Sequence, residues 1–238
     1  MDALARPLEG QLALVTGASR GIGAATAKAL AAAGAHVILV ARTAKELDVV
    51  EQAIFDAGGS ATIAPVDLAE VDAIARLGKA IGERWKALDI LVINAAVLPP
   101  LTPVWQMPSN DLVRAMTLNV MATQALIAAF DPMLKRSNDA RIIAMTSSVG
   151  QKPRAYWGAY GASKAAFENL LETYAQEVAA ISKIRLAILD PGATRTAMRA
   201  KAYPGEDPAS VKPPETVADY IVALLGKSFA TNHRERIN

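Results

Sequence analysis

The sequence predicts an α/β fold, a doubly wound parallel sheet with helices on both faces, formed as a single domain over residues 1–238. Three observations predict it. Short runs rich in Val, Ile and Leu, with little polar alternation, read as strands buried on both faces. Longer segments of helical periodicity separate them, and that alternation requires right-handed crossovers between parallel strands. No Pro-, Ser- or Gly-rich linker and no internal repeat divides the 238 residues, a length that one large domain can hold.

The elements follow in order. A first strand over Leu12–Thr16 leads into a helix over 22–33, and a second strand over 37–41 into a helix over 44–57. Strands over 61–66 and 90–94 precede helices over 71–86 and 111–135. A strand over 141–146 is followed by a helix over 160–181, and 184–189 is the last run with a clear apolar signal. No closing strand is evident before Asn238. Two segments break the rhythm: 97–107, with Pro99, Pro100, Pro103 and Trp105, and 192–214, with Pro204, Gly205, Pro208, Pro213 and Pro214. Both follow strands, at the end of an open α/β sheet where ligands bind. Residues 193–214 read as a lid over a substrate.

Composition narrows the chemistry. There is no cysteine, which excludes disulfides and thiolate catalysis and points to a reducing cytoplasm. His36 and His233 are the only histidines, so no metal centre is expected. The basic residues (25 against 23 acidic) are spread along the chain, which argues against a nucleic-acid partner despite a pI of 8.8. Residues 1–10 hold no apolar leader, and the uncharged stretch between Lys28 and Arg42 is too short to span a bilayer, so no membrane is expected.

The first strand runs directly into Thr16-Gly17-Ala18-Ser19-Arg20-Gly21-Ile22-Gly23. Glycines there permit a sharp turn, a close approach of pyrophosphate to the backbone, and tight packing of helix on strand. The following helix N-terminus offers free N–H groups and a positive dipole end, so a Rossmann-type dinucleotide site is expected. A carboxylate at the end of the second strand commonly holds the ribose 2′-OH of NAD; this chain has Ala41-Arg42-Thr43 and no acid. Arg20 and Arg42 supply two planar forks for a 2′-phosphate, which favours NADP(H) over NAD(H).

Tyr160 and Lys164 lie four apart and so share one helix face. A free phenol titrates near 10, too high for acid–base work at neutral pH, and a neighbouring ammonium favours the phenolate. Thirteen residues upstream, at a strand end, stands Ser147, whose hydroxyl could bond a carbonyl oxygen or a developing alkoxide; Ser148 is the alternative.

With these motifs in view, the sequence resembles the short-chain dehydrogenase/reductase family from Leu12 to about Leu225. The motifs are Thr16–Gly23, Asp67, Asn94-Ala95, Asn119, Ser147 with Tyr160 and Lys164, and Pro191-Gly192 with Thr196. The resemblance implies that Tyr160 is the general acid/base, that Lys164 lowers its pKa and binds the nicotinamide ribose, and that Ser147 positions the substrate oxygen. It implies that Asn119 holds a water linking Lys164 to solvent. Gly17, Ser19, Arg20, Gly21, Ile22, Gly23 and Arg42 would bind the phosphates. Asp67 and Leu68 would face the adenine, Asn94 and Ala95 would fix the fourth strand and the cofactor, and Pro191, Gly192, Thr194 and Thr196 would flank the nicotinamide. The chain departs from the family in Asn94-Ala95-Ala96, where Asn-Asn-Ala-Gly is frequent. The family's habits also imply a homodimer or homotetramer built on the helices over 111–135 and 160–181.

The implied activity is hydride transfer between NADP(H) and a ketone, aldehyde or secondary alcohol. Reduction of a 3-oxoacyl thioester, or a non-catalytic NADP(H)-binding regulator, are the alternatives. Tyr156, Trp157, Trp105, Met198 and Tyr203 are candidate borders of the substrate cleft or packing residues; fold and cofactor do not name the substrate.

Overall fold

The structure, a computed structural model, describes residues 6–238; the first half of the segment read for an apolar leader lies outside them. Seven strands form one sheet, all parallel, in the order β3-β2-β1-β4-β5-β6-β7. They are β1 (Leu12–Thr16), β2 (His36–Ala41), β3 (Ser60–Pro65), β4 (Ile90–Ile93), β5 (Arg141–Met145), β6 (Arg185–Asp190) and β7 (His233–Arg236). The strand order runs outward from β1 in one half and from β4 in the other, so the switch point lies between β1 and β4.

Helices cover both faces: α1 (Gly21–Ala32), α2 (Ala44–Asp56), α3 (Ala73–Arg84), α4 (Ser109–Met116), α5 (Ala122–Arg136), α6 (Gly158–Ala179), α7 (Ala197–Ala202) and α8 (Pro214–Leu225). Period-two alternation along the strands feeds two cores. Leu12 and Leu14 join Ile74, Leu77, Leu126, Phe130, Phe167 and Leu171 from α3, α5 and α6. Ala13 and Val15 join Ala27, Leu30, Leu47, Ile54, Val217 and Ile221 from α1, α2 and α8. β1 is fully buried, which explains its unbroken apolar run.

Four features depart from the sequence expectations. A closing strand exists: β7 pairs in parallel with β6 from Ala187↔His233 to Asp190↔Arg236. Its His-Arg-Glu-Arg sequence is polar because it is a short edge strand with mostly exposed side chains. β3, read as buried on both faces, is the opposite edge and is only half-buried. The helix over 111–135 is a longer helical run, broken by a π-helical turn at Thr117–Met121 that carries Asn119. By length and composition alone, the run Ser109–Arg136 is apolar enough to cross a membrane; Leu126, Phe130 and Met133 within it pack into the core. Finally, α8 was not anticipated, although Pro214 at its first position is a helix-start signal. Within residues 193–214, read as a lid, the chain forms α7 and a 3-10 turn at Pro208–Ser210.

Candidate active site

The carboxyl ends of β1, β4, β5 and β6 carry most of the predicted residues, while Arg42 follows β2 and Asp67 and Leu68 follow β3. At β1, Thr16 Oγ1 donates to Val92 O at 3.1 Å and accepts from the N–H groups of Asn94 (3.0 Å) and Ala95 (3.1 Å). Asn94 Nδ2 returns a bond to Thr16 O at 2.9 Å. One hydroxyl and one amide thus staple the glycine turn to the end of β4. The turn is tight: Gly17 and Gly21 have φ of +66° and +55°, which glycine adopts readily. A Cβ at Gly23 would stand 2.2 Å from Gly17 O and 2.6 Å from Asn94 Nδ2.

Such a turn fits a dinucleotide pyrophosphate. The α1 N-terminus has no side-chain cap at Arg20 and no acidic residue in its first turn, so its N–H groups remain for an anion. Arg20, the residue before α1, and Arg42, the residue after β2, are both exposed. Ser19 and Ile22 lie in the same turn, half-buried. Thr196, just before α7, lies with its Cγ2 3.3 Å from where a Gly21 Cβ would be. Thr196 also caps α7, accepting from Arg199 N–H at 3.1 Å. Thr194 is buried, its hydroxyl on Pro191 O at 3.0 Å, and Gly192 has a φ of +63°. Asp67 accepts from Ala69 N–H at 3.0 Å, a local turn, and Leu68 is buried in the core.

Tyr160 and Lys164 both lie on the buried face of α6. Tyr160 packs with Leu98 and Val149 in a small apolar cluster, with Leu101, Met198 and Ala202 against it, and its ring meets Trp157 edge-on at 6.0 Å. Lys164 Nζ donates to Met145 O at 2.7 Å and stands 4.3 Å from the Phe167 ring. Ser147, two residues after Met145, lines an adjoining cleft of about 330 Å³ with Ser148, Trp157, Gly192 and Tyr203.

The electrostatics differ from the sequence expectation. Burial pushes the Tyr160 phenol above its ordinary value, and the nearby Asp190 charge adds to that. Burial lowers Lys164 to about 8, against an opposing pull from the Glu168 carboxylate. Lys164 Nζ lies 5.9 Å from the Tyr160 ring centroid and is engaged by a backbone carbonyl. The phenol is thus pushed further from the neutral range, opposite to the lowering expected from Lys164.

Asn119 is fully buried and serves as a clamp. Its Oδ1 accepts from Val97 N–H at 2.9 Å; its Nδ2 donates to Val97 O at 3.1 Å and to Ser163 Oγ at 2.9 Å. The chain after β4 is thereby fixed to α6 between Tyr160 and Lys164. The Asn119 carbonyl accepts from Thr123 Oγ1 at 3.0 Å.

Sequence reasoning missed Glu168. It lies one turn beyond Lys164 on the same face and is buried. One carboxylate oxygen accepts from Thr146 Oγ1, next to Ser147. Gly150 leaves room for it, since a Cβ there would lie 2.9 Å from Glu168 Oε1. The available signal was the four-residue spacing that continues Tyr160 and Lys164.

A family model described as short chain dehydrogenase matches residues 11–207. The chain belongs to the short-chain dehydrogenase family. The Escherichia coli K12 protein named as an uncharacterised oxidoreductase, YciK, is 35% identical over 92% of this chain and 87% of its own length. A candidate short chain dehydrogenase from Pseudomonas syringae superposes with a TM-score of 0.95 at 40% identity, covering 100% of this chain and 98% of that one. A Shigella flexneri 2a protein of the same description, solved in complex with NADP, has a TM-score of 0.92 at 33% identity and covers 98% and 99% of the two chains. As in any short-chain dehydrogenase, the fold alone does not name the substrate.

Proposed function

We propose that this short-chain dehydrogenase moves a hydride between NADP(H) and a ketone, aldehyde or secondary alcohol, with Tyr160 as the general acid/base. The observation that carries the reading is the buried Tyr160 phenol one turn before Lys164, beside the cleft that Ser147 lines.

The dinucleotide, when bound, supplies or accepts the hydride. The turn from Gly17 to Gly23 holds its pyrophosphate, with Ser19 and Ile22 in that turn, and Arg20 and Arg42 receive the 2′-phosphate. Asp67 and Leu68 border the adenine, Asn94 and Ala95 support the middle, and Pro191, Gly192, Thr194 and Thr196 flank the nicotinamide. The NADP complex of the Shigella relative supports this cofactor.

In the reducing direction, Ser147 Oγ–H donates to the carbonyl oxygen and steadies the charge that grows on it. The Tyr160 O–H bond breaks as its proton passes to that oxygen, giving the alcohol and a phenolate. Lys164, as an ammonium, stabilises the phenolate and binds the ribose. Asn119 acts by position, holding 97 and Ser163 around this pair. Its carbonyl, in the π turn, is the proposed seat of a water that returns the proton.

Assembly as a homodimer or homotetramer through α4, α5 and α6 is supported by Val113 and Met121, which are 60% and 63% exposed on that helical run. A cytoplasmic setting is supported by the absence of cysteine. The reading is tested by following NADPH oxidation with a panel of ketones and aldehydes. Turnover that Tyr160→Phe lowers roughly 10²–10⁴-fold while NADP⁺ binding persists is expected; undiminished turnover in that variant overturns the mechanism.

A further inference from the structure

The cleft beside Ser147 carries more positive charge than its own carboxylates balance. Three guanidiniums line it, from Arg154, Arg199 and Arg236, with Asp190 as the single carboxylate on the lining. Arg199 is neutralised locally: its Nε and Nη2 donate to Glu206 at 2.7 and 2.5 Å, and its guanidinium lies 3.7 Å from the Tyr203 ring. Asp190 accepts from Gly192 N–H at 3.0 Å and stands 3.8 Å from Arg236 Nε. Arg154 makes no ion pair among the described residues.

Yet Arg154 is not loose. Its Nη1 donates to the Tyr203 hydroxyl, and its guanidinium carbon lies 5.8 Å from the Trp157 ring. Trp157 in turn lies 6.0 Å from the Tyr160 ring and 5.9 Å from that of Tyr203. The guanidinium and the catalytic phenol therefore flank one indole, no further apart than those two spans laid end to end. A guanidinium bonded to one aromatic hydroxyl and set near an indole, still holding free donors, can receive a planar or tetrahedral oxyanion.

We infer that Arg154 receives an acidic group of the substrate, so that the enzyme acts on carbonyl compounds bearing a carboxylate or phosphate several bonds from the reacting carbon. Val149, which lines the cleft and packs against Tyr160, offers an apolar contact to the chain that joins the two ends. This inference rests on the oxidoreductase reading above and specifies its substrate class.

Three probes test it with NADPH: a medium-chain oxo acid, its methyl ester, and the phosphate monoester of the matching keto alcohol. Wild type is expected to favour both anions over the ester at least ten-fold in kcat/KM. Arg154→Gln should collapse that preference and Arg154→Lys should keep part of it. The better of the two anions identifies the acidic group. An ester handled as well as the acids, or a preference that survives Arg154→Gln, overturns the inference while leaving the oxidoreductase reading intact. If no probe is turned over, calorimetric titration of the oxo acid into the protein with NADP⁺ decides. Binding weakened ten-fold or more by Arg154→Gln supports the inference; equal or absent binding in both proteins overturns it. Failure of every carbonyl in the wider panel counts against the reading itself.

Discussion

Glu168 Oε2 accepts a 2.8 Å hydrogen bond from Arg234 Nη1, joining α6 one turn past Lys164 to the closing strand β7. Arg234 also donates to Glu172, and Gln151 Nε2 approaches Glu168 Oε2 at 3.5 Å. With the Thr146 hydroxyl on its other oxygen, this one carboxylate ties together the strand end before Ser147, the turn after it, the Lys164 helix and the sheet edge.

Charge around Lys164 should therefore be adjustable from β7. The charged or titratable groups on the elements packed there are Tyr160, Glu168, Arg234 and, near the phenol, Asp190. Glu168→Gln removes the pull that raises Lys164, so the ammonium is lost earlier and the alkaline limb of kcat/KM moves to lower pH. Arg234→Ala leaves the carboxylate less compensated and moves the limb upward, at a stability cost of about 1–2 kcal/mol given the partly exposed arginine. A purely structural effect would lower the rate at every pH and leave both limbs in place.

The lowered pKa of Lys164 also has a thermodynamic signature. Its folded value of about 8 lies below the ordinary 10.5, so between those values the unfolded chain binds more protons than the native one. Stability from this group therefore rises as pH increases from about 8 towards 10. Melting curves of wild type and Lys164→Met over that interval should diverge, wild type gaining relative to the variant. Parallel curves would refute the assignment.

Cofactor choice is read by ligand-induced melting shifts. NADP⁺ should raise the melting temperature more than NAD⁺ at equal concentration. Arg20→Ala and Arg42→Ala should each weaken NADP⁺ binding roughly ten-fold, the loss of a charge-assisted contact, with little effect on NAD⁺. A larger shift with NAD⁺ in wild type would contradict the role of both arginines.

Gly23→Ala tests the turn. Its methyl would meet Gly17 O at 2.2 Å, so a loss of about 1–3 kcal/mol and of NADP⁺ binding is expected. Gly205→Ala, with nothing within 4 Å of the added carbon, should leave the melting temperature close to wild type.

Much of this was legible in the sequence because the signals were apolar or glycine-based. β1, β2 and β4 are continuous Val/Ile/Leu runs, and the glycine turn announces itself by composition. β7 was illegible because an exposed edge strand has no apolar face to reveal it; its pairing partner, not its residues, makes it a strand. Glu168 shows the same limit from the inside: it looks like an ordinary polar helix position until the fold sets Thr146 and Arg234 against it. The raised Tyr160 was likewise unreadable, since burial by Leu98 and Val149 comes from segments far apart in the chain.

The crowding of Gly17, Gly23, Asn94 and Thr16 has an evolutionary side. Nothing can be added at that knot without displacing backbone, so the dinucleotide half offers a lineage almost no room to drift. The cleft beside Ser147 is bordered in part by exposed loop side chains such as Arg154. The expected route to new substrates is to rewrite 97–107, 151–157 and the part of 193–214 beyond Thr196, while the coenzyme stays the same. A directed library should be confined to those three segments.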